Sequence, residues 1–404
     1  MKCKKLLSAL LAAAMVLPLS ACGTKTEDVT LTVWAPAEDQ DETTGNWLKT
    51  MCEKFNEEHE EWNITFEYGT CSEGDIGTTV TGDPENSADV YLFANDQIGA
   101  LKEVGAIAKL GGEAVEEVKA NNTQLIVDSV TVDGDIYGVP FTSNTWFMYY
   151  DTSVFSEEDI KSLDTMLTKG KVAFPMTTAW YNGSFFLANG GTMFDDGTDA
   201  SAGIQFGGEA GKGALEYMVD LAANPNFVND ADGAGLSGIR EGKVSAYFSG
   251  SWDYAEVKKA LGDNLGAAQL PTITINGEAK QLKSFAGSKA VGVNPNCDNQ
   301  EVAVALARYL GGEEAQKAHY EMRDGSVIPT HIALVEDADL AANPIVKAIS
   351  DTCANTAIVQ PTLAEMGPYW TAAETLGKAV ISKDVTKANA QEKVDAYSKQ
   401  LNDN

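Results

Sequence analysis

The strongest constraint on the fold is a repeated change of hydrophobic period along the first part of the chain. Val29-Thr30-Leu31-Thr32-Val33-Trp34 alternates with the two-residue period of a strand that buries one face. Trp47, Leu48, Met51 and Phe55 then recur at helical spacing between Asn46 and Glu58, and Ile64-Thr65-Phe66-Glu67-Tyr68 returns to strand character. Asp89-Val90-Tyr91-Leu92-Phe93 is a third strand, running into a helical segment from Gln97 to Val104. Neighbouring parallel strands need a crossover between them, so strand, helix, strand in succession predicts an α/β fold with a mostly parallel sheet.

The period changes again further on. Thr131 to Pro140 is a hairpin turned by Asp133-Gly134, and an aromatic strand follows from Thr145 to Tyr150, where the chain is expected to change domain. A second α/β region has strands at Lys171–Phe174 and Val244–Phe248 and helices at Trp180–Ala188 and Gly211–Ala222. The glycine-rich stretches around Gly190, Gly207 and Gly235 have no repeat period and are expected to be loops. After Ser284-Phe285-Ala286-Gly287 come an extended segment and a helix, Val302–Leu310, assigned back to the first region; the chain from Met366 is mostly helical. A length of 404 residues, 44% of them hydrophobic, is enough for two domains with cores of their own.

The first residues have another purpose. Lys2, Lys4 and Lys5 precede an apolar run from Leu6 to Leu17, and Leu19-Ser20-Ala21-Cys22 follows: a charged region, a short apolar core and a cleavage site. The core is too short for an ordinary membrane span. Small residues before a nucleophilic thiol resemble the lipobox of bacterial lipoproteins, so residues 1–21 are expected to be a lipoprotein signal peptide, with Cys22 lipidated and residues 22–28 a tether. The formal charge of −30 becomes −33 once three Lys leave with that segment, 26 basic residues then standing against 59 acidic ones. Such a field excludes nucleic acid as a natural partner.

Cys52, Cys71, Cys297 and Cys353 have no CxxC spacing, and His59, His319 and His331 are isolated, so neither a metal centre nor a cofactor is expected. Cys52 and Cys71 are the nearest pair in sequence, a spacing that does not by itself establish a disulfide. No GxSxG elbow, phosphate-binding loop or dinucleotide fingerprint is present. Aromatics, by contrast, gather at strand ends, loops and helix starts: Trp34, Phe93, Trp146, Trp180-Tyr181, Trp252-Tyr254 and Tyr369-Trp370. A sugar ring offers C–H groups to an aromatic face and hydroxyls to polar groups, here Glu38-Asp39-Gln40, Glu73-Gly74-Asp75, Asp96-Gln97, Asn144, Asn182 and Asp253. Core packing is the competing role for any single Trp, and for Trp47, within a helical stripe, it is the expected one.

The order of these segments resembles that of bacterial maltose/maltodextrin-binding proteins, which belong to the extracellular sugar-binding proteins of ABC importers. The resemblance rests on Leu31-Thr32-Val33-Trp34, Ala88 to Asp96, Gly134 to Pro140 leading to Met148-Tyr149-Tyr150-Asp151, Ala188-Asn189-Gly190-Gly191, Ser249-Gly250-Ser251-Trp252 and Met366-Gly367-Pro368-Tyr369-Trp370. It implies a two-lobed periplasmic-binding-protein-like fold with the ligand cleft between lobes, residues 29–142 and 287–335 forming one lobe and 143–286 and 336–404 the other. The implied ligand-binding residues are Glu38, Asp39, Gln40, Asp75, Phe93, Asp96, Asn144, Trp180, Trp252, Tyr369 and Trp370, with Glu73 an alternative to Asp75. Gln97 and Asn144 replace a basic and an acidic residue of the family pattern, and Asp39 or Gln40 stands where a Lys is usual, which leaves sugar length and linkage open. The implied partners are an oligosaccharide, permease subunits with a separate ATPase, and the membrane through Cys22; a monomer on the outer face of the cell membrane is implied as well. A surface glycosidase and a starch-gripping adhesin are the readings from other classes, and a different oligosaccharide is the competitor within this one.

Overall fold

The computed structural model describes residues 26–402, so Cys22 and the leader lie outside the described residues. Eleven strands build its two main sheets: β1 (Glu27–Ala35), β2 (Trp62–Thr70), β3 (Val90–Ala94), β4 (Val139–Thr145), β5 (Phe147–Asp151), β6 (Val172–Phe174), β7 (Phe227–Asn229), β8 (Ala246–Ser249), β9 (Leu265–Ala268), β10 (Ser284–Val293) and β11 (Ala357–Val359). The first sheet runs β11, β10, β3, β1, β2, with β4 on the other side of β10; the second runs β7, β6, β8, β5, β9. β1 begins two residues inside the expected tether, because Glu27 and Asp28 already pair with Trp62 and Asn63 of β2.

The strands behind the expectation of a mostly parallel sheet are parallel, and the antiparallel pairings lie elsewhere. β1 is parallel to β2 and β3, and β6 to β7 and β8, as the helical crossovers require. β10, however, runs antiparallel to β3 and β4, and β5 antiparallel to β8 and β9. The antiparallel strands are those at or next to the passage between the sheets, where no helix has to return the chain over the same face.

Side-chain alternation explains the layers. Val29, Leu31, Val33 and Ala35 of β1 enter the first core, which α1 (Trp47–Glu58) covers with Trp47, Leu48, Met51 and Phe55. In the second sheet both faces are buried: Met148 and Tyr150 of β5 enter one cluster, and Phe147 and Tyr149 the other. The first of these clusters is covered by α2 (Ala179–Ala188) and α5 (Gly367–Ile381), the second by α4 (Pro344–Asn355), while α3 (Glu313–Met322) packs against α1. Gly235, expected in a loop, instead starts the short helix Ala234–Arg240, where a side chain would strike Asp230 and Tyr247.

The two sheets meet where β4 passes through Trp146 into β5. Thr145 Oγ1 donates to Phe285 O over 2.8 Å and lies 3.1 Å from Ser284 Oγ, all three residues being buried. Trp146 is fully buried, edge-on to Phe174 and Phe248, with its Nε1 donating to Trp180 O over 3.2 Å. β11 comes from the segment assigned to the second lobe yet pairs with Ser284–Ala286 of β10 in the first sheet. All four described cysteines are free; burial pushes the Cys52 thiol up to about 12, so it is inert at neutral pH. Because Trp146 is fully buried among Phe174, Tyr181 and Phe248, Trp146→Ala should cost roughly 3–5 kcal/mol, seen as a lower urea midpoint.

Candidate functional site

A cleft opens between the sheets beside β4 and β10. Glu38, Asp39, Glu73, Thr142, Ser143, Asn144, Lys289, His319 and Arg323 line it, and Ser251 and Trp252 face them from the second sheet. The tip of the second-sheet side is set by local chemistry. Gly250 follows β8, and a Cβ there would lie 2.0 Å from the Trp252 ring, so only glycine lets that indole fold back across the backbone. Tyr149 Oη donates to Gly250 O over 3.0 Å and Ser249 Oγ to Asp253 Oδ2 over 2.6 Å, which fixes the turn. Trp252 is left 52% exposed, in a protein whose other described tryptophans are buried or half-buried. An exposed indole held by a rigid turn is a stacking surface for a ligand.

Trp180 stands beside it, 5.9 Å between ring centroids at an interplanar angle of 36°. It sits in the first turn of α2, whose carbonyls are pinned from two sides: Tyr369 Oη donates to Ala179 O over 2.6 Å, and Trp146 Nε1 to Trp180 O. Its own Nε1 donates to Gln360 Oε1 over 2.8 Å. Gln360, just past β11, also lies near the carboxyl of Asp96, an exposed residue on the first-sheet side. Partial desolvation raises the pKa of that carboxyl, against the lowering influence of Gln97 and Gln360.

At the base of the cleft the charges are paired. Asp39 is 2% exposed, and its Oδ1 accepts from Arg323 Nη1 at 2.5 Å and from His319 Nε2 at 2.8 Å. His319 lies flat against Trp47, 4.1 Å between ring centroids, so α1 and α3 hold the imidazole from outside the cleft. Burial alone would raise the Asp39 pKa; the charge and hydrogen bond of His319, with the charges of Arg323 and Lys289, outweigh it and hold the carboxyl below its usual range. Beside this cluster Lys289 Nζ donates to Glu73 Oε1 over 3.0 Å.

The expected binding residues therefore separate into groups. Glu38, Asp39, Asn144 and Trp252 line the cleft together, and Trp180 stands beside Trp252; Asp96 is exposed and is not among the residues that line it. Trp370 is half-buried against Phe285 and Tyr369, beside the junction. Four expectations need correction. Phe93 is fully buried in the first core, edge-on to Tyr91, because every residue of β3 is covered on both faces. Tyr369 is fully buried and its hydroxyl serves the α2 carbonyl. Gln40 turns its amide to Ala35 O and Gly69 O, tying the ends of β1 and β2. Asp75 is exposed before a helix and bonds Ser72, so of the Glu73/Asp75 alternatives it is Glu73 that faces the cleft.

Lys289, His319 and Arg323 were not anticipated at the site. Lys289 did carry a signal, being the one charge in the otherwise small and apolar run Ser284–Val293; Arg323 at the end of a polar helix carried none. Among the described residues no group of three or more His, Cys, Asp or Glu is placed to hold a metal, and no helix is long and apolar enough to cross a membrane.

A family profile described as "Bacterial extracellular solute-binding protein" matches residues 50–348. The maltodextrin-binding protein MdxE of Bacillus subtilis is 27% identical over 351 residues, 79% of each chain. The galactooligosaccharide-binding protein of the same organism is 25% identical over 395 residues, 91% of this chain and 90% of its own. A solved structure titled as being with acarbose is 50% identical, with a TM-score of 0.86 over 92% of this chain and 98% of its own.

The Asp39 cluster makes a stability prediction whose sign follows from its lowered pKa. Its contribution is complete above the unfolded carboxylate value of about 4 and is lost as pH falls through the lower folded value. Asp39→Asn should cost on the order of 3 kcal/mol at neutral pH, and urea titrations should show the gap to the unaltered protein narrowing below about pH 4. A gap that stays constant into acid would contradict the assignment.

Proposed function

Given that the chain belongs to the bacterial extracellular solute-binding proteins, we propose that it captures an oligosaccharide, maltose or a longer maltodextrin, and hands it intact to the permease of an ABC importer. The observation that carries this reading is the pairing of an exposed indole, Trp252 beside Trp180, with a charged, hydrogen-bonding floor on the facing lobe. Stacking takes the apolar face of the ring, and the floor takes its hydroxyls; neither alone distinguishes a sugar from other amphipathic ligands. The name of the Bacillus relative and the acarbose in the similar structure support α-glucans as cargo.

The ligand enters between the lobes, stacks on the second-lobe aromatics and gains its remaining bonds as the lobes close. Closure is favoured by just the extra affinity of the closed form for the ligand. The protein performs no chemistry on its cargo in this scheme and acts as a monomer. Cys22, following Leu19-Ser20-Ala21, would carry the lipid that keeps the protein at the outer face of the membrane.

A galactooligosaccharide is the second reading, favoured by the relative of that name, whose match spans most of both chains. Calorimetric titration of the chain from Gly23 onward against maltose, maltotriose, longer maltodextrins, acarbose and galactooligosaccharides separates the two. Micromolar binding, about 8 kcal/mol, to α-glucans recovered intact is expected; binding confined to galactosides changes the cargo and keeps the role, and shortened products would mean an enzyme.

Two substitutions separate a stacking aromatic from a structural one. Trp252→Ala should cost about 1–3 kcal/mol of sugar affinity with the unfolding midpoint unchanged. Tyr369→Phe, which removes only the bond to Ala179 O, should cost about 1 kcal/mol of stability with affinity unchanged.

A further inference from the structure

Glu73 and Lys289 lie on the first-lobe side of the cleft, come from distant parts of the chain, and touch each other at the cavity wall. Lys289 is on β10, where it pairs with Ala94 of β3 and Thr142 of β4, so its backbone is held from both sides. Glu73 is held as firmly, since its carbonyl accepts from Ala94 N over 3.0 Å. The Glu73 side chain is 8% exposed and that of Lys289 is 32% exposed, which leaves the ammonium open on its cleft side. Only Oε1 of Glu73 is occupied by Lys289; among the described residues no protein donor reaches Oε2. Next to them Thr142, 4% exposed and also lining the cleft, has a hydroxyl with no partner among the described residues. Leaving such a hydroxyl unpaired is costly.

The site therefore offers, on the two members of one ion pair, a free carboxylate oxygen, Oε2, that can only accept and an ammonium that can only donate. Adjacent hydroxyls of a sugar ring present the complementary pattern, one donating and its neighbour accepting, and two neighbouring groups of one ion pair can meet them together. The charges argue against an anionic ligand: Lys289 and Arg323 are already matched by Glu73 and Asp39, and Glu38 lines the same cavity. We propose that Glu73 and Lys289, with Thr142 beside them, form a diol reader that selects a ring carrying two adjacent unsubstituted hydroxyls on its first-lobe side. This rests on the oligosaccharide-capture reading and adds the element that decides which ring is accepted.

The test is calorimetry with maltotriose and with maltotrioses lacking one hydroxyl at a time in a terminal ring, on the unaltered protein, Glu73→Gln, Lys289→Met and the double variant. Each single substitution should weaken maltotriose binding by about tenfold or more, and the double variant should lose little beyond the worse of the two. Two adjacent hydroxyls should show a deletion penalty in the unaltered protein that disappears in the double variant, while penalties at other positions persist. A merely structural pair would weaken all sugars by one factor, with a lower unfolding midpoint, and would erase no particular penalty. Variants that bind like the unaltered protein, or penalties that survive in the double variant, overturn the diol reader alone. Absence of binding by the unaltered protein to any neutral oligosaccharide overturns the capture reading beneath it.

Discussion

The antiparallel pairing of β4 with β10 is the constraint on which the rest of the molecule depends. Both strands belong to the first sheet, and both lead directly to or from the second. The Thr145 hydroxyl, bonded to Phe285 O and facing Ser284 Oγ, ties them where the sheet ends, and Trp146 fills the space beyond. From this seam the pleat sets which way each side chain points. Asn144 and Lys289 come to line the cleft, while Phe147 and Met148 enter cores on opposite faces of the second sheet.

The two walls of the cleft divide the work according to what each sheet can bury. The second sheet is covered on both faces, so its aromatic side chains run out to the rim, where Gly250 and the first turn of α2 place Trp252 and Trp180. The first-lobe wall places charges close to its core, which is tolerable only because each is matched. Asp39 has Arg323 and His319, and Glu73 has Lys289. One oxygen of each carboxylate is committed to a cation, so the acids keep their places whether or not a ligand is present. A wall of that kind is preorganised for hydroxyls and loses little order when they arrive.

Much of this was legible in the sequence, and the parts that were not have a common cause. The strand and helix periods placed β1, α1, β2 and β3, and Asp133-Gly134 marked a hairpin in which both turn residues have positive φ, 54° and 82°. Trp252 was legible because it falls just past the expected strand ending at Phe248, where aromatics gather outside the regular elements. Phe93 and Tyr369 were misplaced because an aromatic at a strand end or helix start looks the same whether it faces a ligand or a core; the distinction lies in what packs over it from elsewhere in the chain. Arg323 was invisible for a similar reason, since its partner Asp39 is 284 positions away and nothing local to either marks the pair. The antiparallel course of β10 also escaped a period analysis, because direction is a property of the partner strand and not of the strand itself.

The seam between the sheets has a consequence for affinity that no single contact contains. A sugar bound first by the aromatic rim is already tethered within reach of the charged wall, because the crossing strands keep the two half-sites together at a high effective concentration. Neither wall then needs to bind strongly by itself. The covalent path through β4 and β10 supplies avidity within one chain, and it does so while each half-site remains weak enough to let go when the lobes part.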